Sequence, residues 1–225
     1  MTWSAQDVRW MTRALELAAR GRFTTWPNPM VGCVVVQDDS LLSEGWHRNH
    51  GEGHAEVNAL AQLAPDLDLS RATAYVTLEP CSHTGKTPPC ADLLVSRGVG
   101  RVVVAMTDPN PLAAGRGLER IQRAGAVCEV GCLEQEARAL NAAFVHCMTS
   151  ESPWVTLKWA QSVDGFMDGR TSPEAGDGGW GITGTASRRW THTLRARHDT
   201  LLVGMRTWLV DNPSLTTRDA PGPSP

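Results

Sequence analysis

Four residues constrain this chain more than any other feature. His54 and Glu56 form a His-Ala-Glu triplet, and Cys81 and Cys90 close the ends of Cys-Ser-His-Thr-Gly-Lys-Thr-Pro-Pro-Cys. One imidazole and two thiolates make a ligand set for tetrahedral zinc with a fourth position open to water. A fold that uses them must bring separate segments to one point. Both ligand segments read as helix starts: Val57, Leu60, Ala61 and Ala64 share one face after His54, and Leu93 and Leu94 follow Cys90 ahead of the stop signal Gly98. The positive end of a helix, together with a metal, favours the thiolate form of cysteine. Glu56 stands two residues beyond His54, near the metal without having to bind it, where a carboxylate can carry protons. The set matches the His-x-Glu, Pro-Cys and second-Cys pattern of zinc base deaminases. The usual Cys-x-x-Cys interval is here eight intervening residues. The competing reading is a closed structural zinc site with His47, His50 or His83 as fourth ligand; such a site has no use for Glu56.

The rest of the chain supplies a frame for these residues. Met1 to Gly21 reads as an amphipathic helix, with Ser4 and Asp7 as an approximate capping box and Val8, Met11, Leu15 and Ala18 on one face. Strands are expected at Val31–Val36, Leu41–Trp46, Ala74–Leu78, Arg101–Met106 and Val127–Val130. Helices are expected at His54–Ala64, from Cys90 to Gly98, at Leu118–Ala124 and at Leu133–Cys147. This alternation predicts an α/β domain with a mixed sheet. Ser150 to Pro153 is the best boundary, giving domains 1–150 and 151–225. Beyond it, strands at Trp154–Trp159 and Thr200–Val203 flank a helix at Thr185–Arg197, and the last six residues read as a disordered tail.

Composition excludes several classes. A net charge of -3 offers no broad attraction to nucleic acid or to a membrane. No apolar run approaches the roughly 20 residues a spanning helix needs. Charges at Asp7, Arg9, Arg13, Glu16 and Arg20 interrupt any secretory core in the first helix. Six cysteines in such a chain read as thiols or metal ligands, and the expected location is the cytoplasm.

Longer stretches carry a resemblance. Residues 27–36 (Pro-Asn-Pro-Met-Val-Gly-Cys-Val-Val-Val), Gly51-x-x-His-Ala-Glu-Val57, Tyr75-Val-Thr-Leu-Glu-Pro-Cys-Ser-His-Thr-Gly-Lys-Thr-Pro-Pro-Cys90 and Ala105-Met-Thr-Asp-Pro-Asn-Pro111 closely resemble the deaminase domain of the bifunctional riboflavin biosynthesis proteins. That family shares the long interval between Cys81 and Cys90. The resemblance implies a cytidine-deaminase-like three-layer fold and hydrolytic loss of the 2-amino group of a diaminopyrimidinone bearing a phosphoribosylamino group. It implies zinc on His54, Cys81 and Cys90, and Glu56 as acid and base. Asn28, His47, His83 and Lys86 match positions that line the substrate pocket. Two readings compete with it: a zinc deaminase of another base, including one in tRNA, and a zinc-stabilised assembly module with a dead site. Low basic charge and the long Cys81–Cys90 loop argue against tRNA, and intact Glu56 argues against a dead site.

From Trp154 on, Leu157-Lys-x-Ala-x-Ser-Val-Asp-Gly165, Trp180-Gly-Ile-Thr-Gly184, Leu194-Arg-Ala196 and Asp211-Asn-Pro-Ser-Leu-Thr216 resemble the family's reductase domain. The implied fold is dihydrofolate-reductase-like α/β and the implied cofactor NADPH. Ala160, Trp180, Thr207 and Asp211 match cofactor contacts; Gly178, Arg195, Leu215 and Arg218 match substrate contacts. Gly178 replaces a frequent serine, and Gly169 to Gly181 is longer than usual. Gly176-x-Gly178-x-x-Gly181 follows no clear strand and opens no immediate helix, so it is not a dinucleotide fingerprint. The 75 residues from Glu151 to Pro225 are fewer than a whole reductase domain, and the expectation is an incomplete, impaired reductase half. Its open sheet edges and apolar face, together with the resemblance, predict a homo-oligomer that uses a small phosphorylated pyrimidine, with no nucleic-acid or membrane partner.

Overall fold

The structure, a computed structural model, describes residues 2–83, 88–167 and 182–225. Contacts divide it into two units, Met1–Trp154 and Val155–Pro225.

Alternation along the strands decides the layers of the first unit. Five strands, β1 (Gly32–Gln37), β2 (Ser40–Trp46), β3 (Thr73–Val76), β4 (Arg101–Val104) and β5 (Val127–Val130), form one sheet in the order β2-β1-β3-β4-β5. β1 runs antiparallel to β2 and β3, while β3, β4 and β5 are parallel. Cys33, Val35, Ala74, Val76, Val102 and Val104 enter one buried cluster, and Val34, Val36, Tyr75 and Val103 enter another. A sheet buried on both faces needs a helical layer on each. Helices α2 (Ala55–Leu60), α3 (Cys90–Ser96) and α4 (Arg116–Arg123) add Ala59, Leu94 and Ile121 to the first cluster. Helices α1 (Ala5–Ala18) and α5 (Glu134–Leu140) add Met11, Leu17 and Ala137 to the second. The fold is a three-layer α/β sandwich with a mixed sheet.

Local chemistry sets the ends of these elements. Ser4 caps α1, its hydroxyl accepting the Asp7 N–H at 3.1 Å while the Asp7 carboxylate accepts the Ser4 N–H at 3.3 Å. Gly45 lets α2 settle on β2: a Cβ there would lie 2.5 Å from the Ala59 nitrogen and 2.6 Å from the Ala55 carbonyl oxygen.

Several sequence expectations are corrected. The single helix expected at Leu133–Cys147 is two, α5 and α6 (Ala142–Thr149), because Asn141 leaves helical geometry between them. Its buried amide instead grips Met30, accepting the Met30 N–H at 2.8 Å and donating to the Met30 carbonyl at 2.9 Å. In the second unit, Trp154–Trp159 and Thr200–Val203 are not strands. Among the described residues neither segment finds a ladder partner, and Val155, Leu157 and Leu202 stay exposed. The regular elements described there are α7 (Thr185–Arg195) and α8 (Met205–Asp211), the second of which the sequence pattern did not announce. Among the described residues, no helix is long and apolar enough to cross a membrane.

Candidate active site

His54 is the N-cap of α2, yet its side chain makes no capping hydrogen bond and stays available as a ligand. Cys81 follows the end of β3, and Cys90 is the first residue of α3. The Cys90 N–H, one of the amides a helix start leaves unpaired, donates to the Cys81 sulfur at 3.3 Å. His54 Nδ1 lies 3.6 Å from Cys81 Sγ and 3.3 Å from Cys90 Sγ, and the three ligand atoms fall within 4.8 Å of one another. Zn–N and Zn–S bonds of roughly 2.1 and 2.3 Å give a tetrahedral N-to-S edge of about 3.6 Å. The donor set therefore fits zinc in both chemistry and spacing.

The closed-site alternative does not assemble. Among the described residues, no other His, Cys, Asp or Glu joins this cluster. His47 is buried beside it, but both its nitrogens are engaged: Nδ1 with the Gly53 carbonyl and Nε2 with the Asn28 amide nitrogen, each at 3.1 Å. The carbonyl can only accept, so Nδ1 carries the proton and Nε2 accepts from Asn28. His50 is exposed outside the cluster; His83 is exposed at the cavity wall.

Electrostatics separate the roles. Burial pushes the Glu56 carboxyl up to about 7, reinforced by the Cys81 sulfur and opposed by its own backbone N–H and by His54. A hydrogen bond from Cys90 holds Cys81 down, at about 4, and the same shared proton pushes Cys90 up. The hydrogen bond to Cys81 also raises His54. Two sulfurs and an imidazole competing for a proton form a cluster for which a cation is the natural occupant.

A cavity of about 240 Å³ opens over the cluster, lined by Asn28, His47, His54, Glu56, Cys81 and His83. Of the pocket residues expected from the sequence, Asn28, His47 and His83 come together here; Lys86 lies outside the described residues. Asp108, Asn110, Phe144 and Met148 also line it. The first two stand in the quoted Asp108-Pro-Asn-Pro stretch, which hinted at a role. Phe144 and Met148 read only as apolar positions of a helix. A wider groove of about 840 Å³ shares His83, Asp108 and Asn110 and adds Arg116, Arg120 and Arg123. Arg120 pairs with Asp92 at 3.0 Å and Arg123 with Glu119 at 2.5 Å.

In the second unit, Arg195 donates to the Thr216 carbonyl at 2.9 Å, and Arg218 donates to the Thr216 hydroxyl at 3.1 Å and to Ser214. These two expected substrate residues thus meet around Thr216, next to Leu215. Thr207 and Asp211 lie four residues apart on α8, while Ala160 lies in an irregular stretch. Gly178 and Trp180 lie outside the described residues.

The comparisons with known proteins agree with this geometry. Residues 4–106 match the family described as the cytidine and deoxycytidylate deaminase zinc-binding region, and residues 153–225 match the RibD C-terminal domain. The chain is 49% identical over 213 residues to riboflavin biosynthesis protein RibD of Escherichia coli, covering 95% of this chain and 56% of that protein. It is 45% identical to RibD of Aquifex aeolicus, covering 96% of this chain and 58% of the other. Among solved structures, Acinetobacter baumannii RibD aligns with a TM-score of 0.84 at 46% identity, over 95% of this chain and 58% of that one. A Thermotoga maritima protein, described as a diaminohydroxyphosphoribosylaminopyrimidine deaminase/5-amino-6-(5-phosphoribosylamino)uracil reductase, aligns with a TM-score of 0.87 at 40% identity, over 98% of this chain and 61% of that one. The chain thus spans a little over half the length of these relatives. One histidine and two cysteines thus converge in a three-layer α/β domain that matches a deaminase zinc-binding family, a segment matching the RibD C-terminal domain follows, and over nearly all of its length the chain is similar to the RibD riboflavin biosynthesis proteins.

Proposed function

We propose that this chain is a zinc-dependent deaminase of the riboflavin pathway, converting 2,5-diamino-6-(5-phosphoribosylamino)pyrimidin-4-one and water to 5-amino-6-(5-phosphoribosylamino)uracil and ammonia. One observation carries the reading: the buried carboxyl of Glu56 stands two residues from His54, which converges with two cysteine sulfurs at a cavity lined by His54, Glu56 and Cys81. His54, Cys81 and Cys90 would hold the zinc, which when bound would supply a Lewis acid that lowers the pKa of water. Glu56 takes a proton from the attacking water as its oxygen bonds to the amino-bearing carbon, and passes that proton to the ring nitrogen. A second proton passes through Glu56 to the amine, which leaves as ammonia while the carbonyl forms. Burial raises the Glu56 carboxyl, which suits a group that must both take and give a proton. Asn28, held by its bond to His47, keeps its carbonyl oxygen for a substrate N–H. His83 and Lys86 serve the substrate's sugar-phosphate side, and the open groove beyond His83 leaves room for that arm.

Residues 153–225 match the RibD C-terminal domain, and by that likeness Ala160, Trp180, Thr207 and Asp211 are assigned toward NADPH, and Gly178, Arg195, Leu215 and Arg218 toward the substrate. NADPH oxidation with deaminated substrate tests the assignment. Free cysteines throughout the described structure suit a reducing compartment, the cytoplasm. Exposed apolar side chains such as Leu157 and Leu202 suit self-association.

Ammonia release from the phosphorylated diaminopyrimidine tests the deaminase. Glu56→Gln is expected to keep stoichiometric zinc and lose activity by on the order of 10²–10⁴-fold. Full activity after zinc removal sinks the mechanism; full activity in Glu56→Gln sinks its proton transfer alone.

A further inference from the structure

Glu79 sits immediately before Pro80 and Cys81, and its side chain is buried at 5% exposure. No step above uses it. One carboxylate oxygen accepts the N–H of Asp108 at 3.2 Å and of Gly115 at 2.9 Å; the other accepts those of Gly117 at 2.9 Å and Leu118 at 3.4 Å. Four donors therefore converge on the roughly four lone-pair sites of one carboxylate. The backbone of Glu79 adds a fifth tie, donating to the Met106 carbonyl at 3.0 Å.

The segment it holds builds the cavity wall. Asp108 and Asn110 line the cavity together with His54, Glu56 and Cys81. Among the described residues, the other hydrogen bonds of the 108–116 backbone are local, as from Asn110 to Asp108, Leu112 to Asn110, Arg116 to Ala113 and Glu119 to Gly115. The start of α4 also presses on the same strand end. A Cβ on Gly117 would stand 1.9 Å from the Pro80 carbonyl oxygen, so only glycine allows the approach. The amides of Gly117 and Leu118 are consumed by Glu79, so this helix start is no anion site.

We infer that Glu79 is a positioning residue for this site: its buried carboxylate ties residues 108–118 to the strand end that carries Cys81, and so holds Asp108 and Asn110 at the wall of the reaction cavity. The kinetic consequence rests on the deaminase reading; the clamp itself does not. A glutamine keeps the shape but offers one carbonyl where four donors converge, so two amides lose their acceptor.

The experiment compares zinc-loaded wild type, Glu79→Gln and Tyr75→Phe over the full chain. Tyr75 donates to Asp7 at 2.9 Å in the other buried cluster, and its loss tests general destabilisation. In Glu79→Gln, amide exchange at Asp108 and Gly115 is expected to quicken by about tenfold or more. KM should rise by roughly tenfold, with kcat within about threefold and zinc content unchanged, because the wall is loosened rather than the metal. Tyr75→Phe should lower Tm and leave KM unchanged. Unchanged exchange at Asp108 and Gly115 overturns the clamp; unchanged KM overturns its role in the site. Should Glu79→Gln not fold, Gly115→Ala strains the same loop at a φ of +79° and carries the same expectations. If wild type releases no ammonia, the deaminase reading fails, and amide exchange still decides the clamp.

Discussion

Two buried carboxylates show how environment assigns work to the same chemistry. Glu56 is desolvated beside sulfur and rises to about 7. Burial also works to raise Asp7, but hydrogen bonds from Arg101, Ser4 and Tyr75 outweigh it and hold the group at about 2. The Arg101 guanidinium lies 2.7 Å from Asp7 and 2.5 Å from Glu129. Asp7 is therefore held as a structural anion, while the same burial leaves Glu56 a far weaker acid. A folded pKa below the unfolded 3.8 means that Asp7 stabilises the fold fully above that value. The contribution is lost as pH falls from about 3.8 towards about 2. Asp7→Asn is expected to cost about 2 kcal/mol at pH 7 and much less at pH 2, read by urea unfolding at both. Equal losses at both pH values would refute the assignment. Sequence spacing exposed Glu56, because His-x-Glu is a local pattern. It showed Asp7 only as a capping partner of Ser4, since Tyr75 and Arg101 arrive through the sheet.

Elements position these residues by close approach. Gly45 gives α2 its seat on β2, and α2 carries both His54 and Glu56. Gly45→Val is expected to push α2 off the sheet, lower stability by about 1–3 kcal/mol and reduce zinc occupancy. Thermal unfolding and metal analysis check this; full zinc occupancy with unchanged Tm would show that the seat is soft. Continuous apolar runs such as Val31–Val36 and Val102–Ala105 made the central strands legible, because a strand buried on both faces carries no polar alternation. The break at Asn141 was hidden, because the grip on Met30 spans the whole domain and leaves helical periodicity on both sides intact. The strands expected in the second unit failed for another reason. Apolar, β-branched runs such as Val155 to Leu157 earn a strand only through a paired neighbour, and among the described residues they have none.

At the scale of the whole molecule, the candidate site belongs to one unit. The described residues lining the reaction cavity run from Asn28 to Met148, all within Met1–Trp154. Both buried clusters that support the sheet also lie there. Val155–Pro225 has a different character: Leu157 is 79% exposed and Leu202 98%, and neither lies in a regular element. A domain whose core and site are complete within itself should not need the remainder for chemistry. A chain ending after Trp154 is therefore expected to bind stoichiometric zinc, unfold cooperatively and release ammonia within about threefold of the full chain. The isolated 155–225 segment is expected to bind a hydrophobic dye and show no cooperative transition. Ammonia release separates the possibilities for the shortened chain. Activity lost together with zinc means that the first unit does not fold alone. Activity lost with zinc retained means that residues after Trp154 reach the substrate, and the single-unit assignment of the site falls.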